Sequence, residues 1–473
     1  MVAQKGLDWY AAMVVRRFRQ PVDRFFRRLQ KTVYGARMRP LEALFVAAAI
    51  LTLLLRWIQP RNRQVTATLL AMIGIFAVLH LVFDSWRWEM VPAYAMGVAA
   101  MYILARDLQR ISDAKAGESA RWMAIPSTGQ RALWGTILAI AAVAAVVIPA
   151  WAFPRIALAA PDGLYDIGRM DVHWTDSARN NRSIDVAVWY PAEQPNGRLL
   201  PYHPQPGILG SRFAQGTSLP AFTFRNLTAG RTHATLEPRF SVREGRSPIV
   251  LVAPDPGGSR YEGTALYERL ASNGYVIASV GDDGSGADAS GDATQRAGDL
   301  AFVLDRLLRL PLKSVVDTLN THVRGDRVAV VGRGTGADAA MELAATDARI
   351  TAVAAIAPTG FGEAAKRGVR RPFLIFTVGD QPGLDDAMRY GGTEARLEAT
   401  TTDALSDRAL LGKPIVRMIG ITSGDTPQDV HAAVSALTLR FLDQYLKERR
   451  EATEVDLPAH VRVRIIPHPP RAG

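Results

Sequence analysis

The residues whose spacing bears most directly on chemistry form a glycine-rich turn, Gly332-Arg333-Gly334-Thr335-Gly336. An apolar run, 328–331, leads into it, and an alanine-rich segment follows at once. Strand, sharp turn, helix is the setting of the G-x-S-x-G elbow, which presents a nucleophilic hydroxyl at the top of a sheet. Here the middle position is Gly334, so the setting is present and the reactive oxygen is absent. The turn has neither the G-x-G-x-x-G spacing of a dinucleotide loop nor the lysine of a phosphate-binding loop.

The elements that must position this turn read as a mostly parallel α/β sheet. Apolar runs at 249–253, 275–280, 328–331, 350–357, 373–378 and 415–419 alternate with helical segments, the pattern of strands covered on both faces. Residues 183–190 alternate like a half-buried strand, and 191–246, rich in Pro, Gly and Arg, read as surface loops. Helices are predicted over 295–308, with Leu300, Val303, Leu304 and Leu307 inward, and over 428–447, with Val434, Leu437, Phe441 and Tyr445 inward.

Upstream of about residue 156 the composition is different. Four apolar runs, 41–55, 65–83, 90–105 and 133–153, are separated by basic loops, which predicts a helical transmembrane domain of about four spans over 41–155. Residues 1–40 are strongly basic with apolar residues at helical spacing, the pattern of an amphipathic helix on anionic headgroups; a disordered basic tail is the alternative. A start at Met38 instead of Met1 is also open. Domain boundaries are therefore expected at 1–40, 41–155, 156–450 and a C-terminal tail, 451–473. The loop charges place the large domain outside a bacterial inner membrane, while segment 1–40 argues the opposite; the extracytoplasmic placement is the expectation. Near the end of the second run His80 and Asp84 lie one turn apart, read as solvated anchors. The net charge of +11 sits largely around the apolar runs, which favours the lipid bilayer as partner and argues against nucleic acid. There are no cysteines, so disulfides and thiolate metal sites are excluded.

Several ordered blocks within about 160–450 resemble the bacterial, platelet-activating-factor-acetylhydrolase-like branch of the α/β hydrolases. They are VWYPAE (188–193), PIVLVAPDPGGSR (248–260), LASNGYVIASVGDDGSGA (270–287), RAGDLAFVLDRLL (296–308) and VAVVGRGTGADAA (328–340). The resemblance implies a metal-independent serine esterase acting on short acyl esters, without cofactors. It also implies site positions that this chain fills differently. The nucleophile position is Gly334; the acid position, in 356–359, holds no carboxylate; the loop expected to carry the histidine, 420–425, has none. The oxyanion loop reads Ala253-Pro254-Asp255-Pro256-Gly257-Gly258-Ser259. Gly257 and Gly258 keep close backbone approach possible, while Asp255 would repel a developing oxyanion. A ligand site would then be built from Gly257, Gly258, Gly334 and Thr335.

One substitute catalytic set exists on paper: Thr335 beside the empty position, His431 in the final helix, and Asp380 in a Gly-Asp-Gln-Pro turn after 373–378. Asp282, Asp283, Asp288 and Asp292 crowd a loop that lacks calcium-loop spacing, and no metal or cofactor is expected. His173, His203 and His233 read as surface residues. The resulting expectation is a catalytically inactive, membrane-anchored hydrolase-like protein serving as an accessory subunit of a membrane complex or as a lipid or small-ligand binder. The alternative is a membrane-bound esterase using non-standard residues.

Overall fold

The structure, a computed structural model, describes residues 44–52, 63–84 and 90–115 and most of 156–471. The longer stretches of 156–471 outside that description are 215–223, 225–229, 282–291, 310–318, 412–426 and 449–456. The chain divides into two units, Met1–Arg155 and Ile156–Gly473.

In the first unit, helix α1 (Arg63–Leu79) continues into one wide turn, His80–Asp84, and helix α2 spans Val91–Lys115. Among the described residues one helix, Arg63–Val82, is long and apolar enough to cross a membrane. Of the four expected spans, the second, 65–83, lies in this helix. The run 90–105 lies in α2, whose apolar part ends at Arg106 and Asp107, short of the roughly 17 residues a span needs. The helix containing the first run is described only over 44–52, and 133–153 and 1–40 lie outside the described residues. This unit buries an apolar core that includes Phe45, Leu69, Ile73 and Leu104, yet it also exposes large apolar side chains. Ile75, Val78, Val82, Val98 and Tyr102 are each more than half exposed, whereas Thr66, His80 and Asp107 are buried. His80 is not a solvated anchor: its Nε2 lies 2.7 Å from the Tyr94 hydroxyl, and its ring stacks on Phe45. The Asp84 side chain lies outside the description.

Among the described residues, the second unit is built on one sheet of eleven strands. The central strands β5 (Ser247–Ala253), β6 (Val276–Val280), β7 (Val323–Arg333), β8 (Ile350–Ile356) and β9 (Phe373–Val378) are parallel. Their apolar runs are buried on both faces, so there is no alternation to read. Helices α3 (Thr264–Ser272), α4 (Ala293–Arg309), α5 (Thr335–Thr346) and α6 (Pro427–Leu446) cover them. Leu300, Val303, Leu304 and Leu307 form the inner face of α4 in the same core as Ile249, Val328 and Met341.

Three parts of the sheet escape the apolar-run reading. Strand β1 (Asp166–Asp176) pairs antiparallel with β2 (Arg182–Ala192), and β3 (Leu199–Pro201) and β4 (Arg231–Leu236) lie within the stretch read as loops. Strand β10 (Gly392–Leu397) adds in parallel beside β9. Strand β11 (Val463–His468) closes that edge antiparallel, so the stretch expected to be a C-terminal tail contributes to the sheet. Its anchor is the fully buried Glu394, which accepts from Thr377 and Arg396 and lies 3.2 Å from His468 Nε2. Burial alone would raise the Glu394 carboxyl, but those hydrogen bonds together hold it below its ordinary value. The run 415–419 lies outside the described residues.

Across the sheet the strands follow the order β11-β10-β9-β8-β7-β5-β6-β2-β1-β4-β3. Because β5 has β6 on one side and β7 on the other, the chain switches direction across the sheet at β5. In open α/β sheets the crevice outside the carboxyl ends of the strands at such a point is where ligands bind. The loop after β5 carries Asp255, and the turn after β7 carries Gly334.

Candidate functional site

The turn after β7 has the backbone of an elbow. Gly334 takes φ 56° and ψ −129°, a region that strains any residue with a Cβ. Its N–H donates to Ile356 O at 2.9 Å, and its carbonyl accepts from Ala337 N at 3.0 Å. The flanking glycines serve close packing instead. A Cβ on Gly332 would lie 2.2 Å from Gly336 O, and one on Gly336 the same distance from Ala253 O. Helix α5 begins immediately, at Thr335.

That crevice is filled from the neighbouring strand. A Cβ built on Gly334 would fall 1.6 Å from Asp255 Oδ1 and 2.5 Å from its Cγ. The carboxylate of Asp255 thus occupies the volume that a nucleophile's side chain would take. It accepts the backbone N–H of Thr335, the donor that an oxyanion would use, and it pairs with Arg333. Burial raises the Asp255 carboxyl above its ordinary value; Arg333 opposes that shift and Glu262 adds to it. Gly258 holds the loop in place, its N–H donating to Asp255 O at 2.7 Å, and Arg296 donates to Pro254 O. Gly257 lies outside the described residues.

The surrounding charges form a closed lattice. Arg333 reaches Thr402 O at 3.5 Å and lies 3.8 Å from Asp403, while Arg408 lies 3.4 Å from both Glu262 and Asp403. Between Asp255, Glu262, Tyr267, Arg333, Ser406 and His431 a cavity of about 40 Å³ remains. At roughly 10–15 Å³ per water, that is room for a few water molecules.

The substitute triad is not assembled. His431, on the second turn of α6, lies 3.0 Å from Asp407 through Nε2, and both are buried. That Asp407 oxygen has no aligned hydrogen-bond donor, so the contact is an ion-pair distance only. The other oxygen accepts the Tyr202 hydroxyl at 2.8 Å and Gly263 N at 3.0 Å, at the start of α3. Asp380 is 98% exposed and lies 3.4 Å from Arg396, as a turn residue would. Thr335 Oγ1 is 3.2 Å from Thr359 Oγ1, which donates to Asp338 at 2.9 Å. The Thr359 proton is therefore committed, and Thr335 must be the donor in that pair. Thr335, His431 and Asp380 belong to three separate networks.

One serine–histidine pair is not apparent from sequence spacing. His203 and Ser259 are fully buried, with His203 Nε2 3.1 Å from Ser259 Oγ, and they stand 56 positions apart. The proton count excludes a nucleophile. His203 Nδ1 accepts Gln205 N at 3.0 Å, so the ring proton resides on Nε2 and is donated to the serine. A histidine in that tautomer cannot take the serine proton, and Ser259 Oγ also accepts Tyr261 N. His203 is thus corrected from surface to core. His173 and His233 pair with Asp185 and Glu268, each at 2.8 Å. Asp292 accepts Gln295 N at 2.7 Å and caps α4; Asp282, Asp283 and Asp288 lie outside the described residues.

No family model and no curated protein sequence matches the chain. Among solved structures, a ferulic acid esterase from Streptomyces cinnamoneus is similar, with TM-score 0.50 and 24% identity, over 64% of this chain and 96% of its own. At that identity the likeness is one of fold alone. The large parallel sheet, its elbow and this likeness together identify the second unit as a hydrolase-like α/β fold.

Proposed function

We propose that this chain is a membrane-associated protein whose hydrolase-like domain binds or assembles instead of cleaving esters. The observation that carries the reading is the Asp255 carboxylate lodged at the Gly334 turn, on the Thr335 N–H and Arg333. A negative charge already resident where an oxyanion would form opposes acyl chemistry, and no histidine faces Gly334 or Thr335 among the contacts described above. The small cavity favours an accessory or assembly role over capture of an acyl ligand. Membrane association is supported by the apolar helix Arg63–Val82 and by the large apolar side chains it exposes, among them Ile75, Val78 and Val82. A multi-pass anchor and an extracytoplasmic domain belong to the same reading, on the strength of the sequence alone.

The test is enzymatic and biochemical. The full chain, purified from membranes, should neither hydrolyse short-chain chromogenic esters nor react with a fluorophosphonate probe, and it should retain a protein partner. Turnover abolished by Thr335→Ala or His431→Ala would defeat the reading. Release into the soluble fraction by alkaline carbonate would remove its membrane part.

A further inference from the structure

A second cavity lies at the opposite edge of the sheet, where β5 and β7 begin. It has a volume of about 210 Å³, and its walls include Arg246, Arg324, Lys447, Ser241, Ser247 and Tyr165. No acidic side chain is among the described residues lining it. Gly245, at φ 80°, turns the chain into β5 and leaves open space on its Cβ side. The acids nearby are held in other contacts. Asp326 takes Nε and Nη2 of Arg324, Asp443 accepts the Tyr275 hydroxyl and lies 3.6 Å from Lys447, Glu193 accepts from Ser241, and Glu448 pairs with Arg327. Lys447 also donates to Asn273 O, so part of its charge offsets the carboxyl end of α3. Arg246 is exposed at the cavity and is the cation there without an acid partner among these contacts.

We propose that this cavity binds a phosphate group, as a phosphate monoester or the headgroup of an anionic phospholipid. A tetrahedral dianion offers enough acceptors for the Arg246 fork, the remaining Nη1 amine of Arg324 and the Ser247 hydroxyl together. The volume exceeds what a lone water or chloride would need. The assignment is independent of the reading of the elbow, which lies at the other end of the strands.

The experiment uses the full chain in phosphatidylcholine nanodiscs, titrated calorimetrically with inorganic phosphate against chloride at matched ionic strength. Saturable binding is expected, weakened about tenfold in Arg246→Ala and further in Arg246→Glu, the scale of losing one charge-assisted bidentate pair. Arg246 is exposed, so unchanged melting of both variants is expected and separates loss of the site from loss of the fold. A repeat in discs doped with phosphatidic acid identifies the source. Suppressed phosphate uptake in the wild type marks a lipid headgroup, and unchanged uptake marks a soluble phosphate ester. Absence of saturable phosphate binding, or an isotherm that Arg246→Glu leaves unchanged, overturns the proposal.

Discussion

The Gly334 turn and Asp255 form one steric unit, and a mutant cycle measures it. Gly334→Ala forces a Cβ into a backbone region that costs a non-glycine residue about 1–3 kcal/mol. The same atom would stand 1.6 Å from Asp255 Oδ1, so the carboxylate must leave. Leaving forfeits the Thr335 N–H and the Arg333 pair, a charge-assisted loss of about 1.5–3 kcal/mol. Gly334→Ala alone should therefore destabilise the domain by about 2.5–6 kcal/mol. In an Asp255→Ala background the steric conflict is gone, and the same substitution should cost only the backbone strain, about 1–3 kcal/mol. The double mutant should thus be less destabilised than the sum of the single mutants, with a coupling of about 2 kcal/mol. Urea unfolding of the four proteins, followed by near-ultraviolet circular dichroism, reads this directly. Additivity within about 0.5 kcal/mol would show that the carboxylate does not occupy the elbow, and the reasoning would fail.

Two further outcomes follow from titration. The folded-state Asp255 carboxyl is raised above its unfolded value, so its ionisation opposes folding as pH rises from roughly 4 through the folded value. Asp255→Asn should gain melting temperature relative to wild type across that window, and a gap that is constant or shrinks would contradict this. Glu394 is shifted the other way, so its contribution is complete above the ordinary glutamate range and is lost as pH falls through the lowered folded value. Glu394→Ala should cost about 3 kcal/mol, as expected for removing one partner of a buried ionic cluster. It should also speed amide exchange in Val463–His468 selectively; uniform exchange across the sheet would refute the anchoring role of Glu394.

Part of the fold is legible in the chain's own residue pattern. The parallel core is visible because strands covered on both faces are written as unbroken apolar runs, as in 249–253 and 328–331. The edge strands are not. In β11 the residues Arg464, Ile465 and His468 sit on a half-exposed rim, and β4 lies in the Pro-, Gly- and Arg-rich stretch that composition assigns to loops. Counting spans from hydropathy also overreaches at α2, where two charges end the apolar stretch early.

The sequence by itself determined that no hydroxyl stands at the elbow, because glycine has no side chain to supply one. It also marked Asp255 as ill-suited to an oxyanion loop, by charge alone. Where that charge goes was decided by tertiary structure. Asp255 and Arg333 are 78 positions apart and meet only because β5 and β7 are neighbours in the sheet. The same holds for His431, which chain order places after the last strands but packing assigns to Asp407. Local patterns report what each residue can do; which groups share a crevice depends on strand order, which no local pattern encodes.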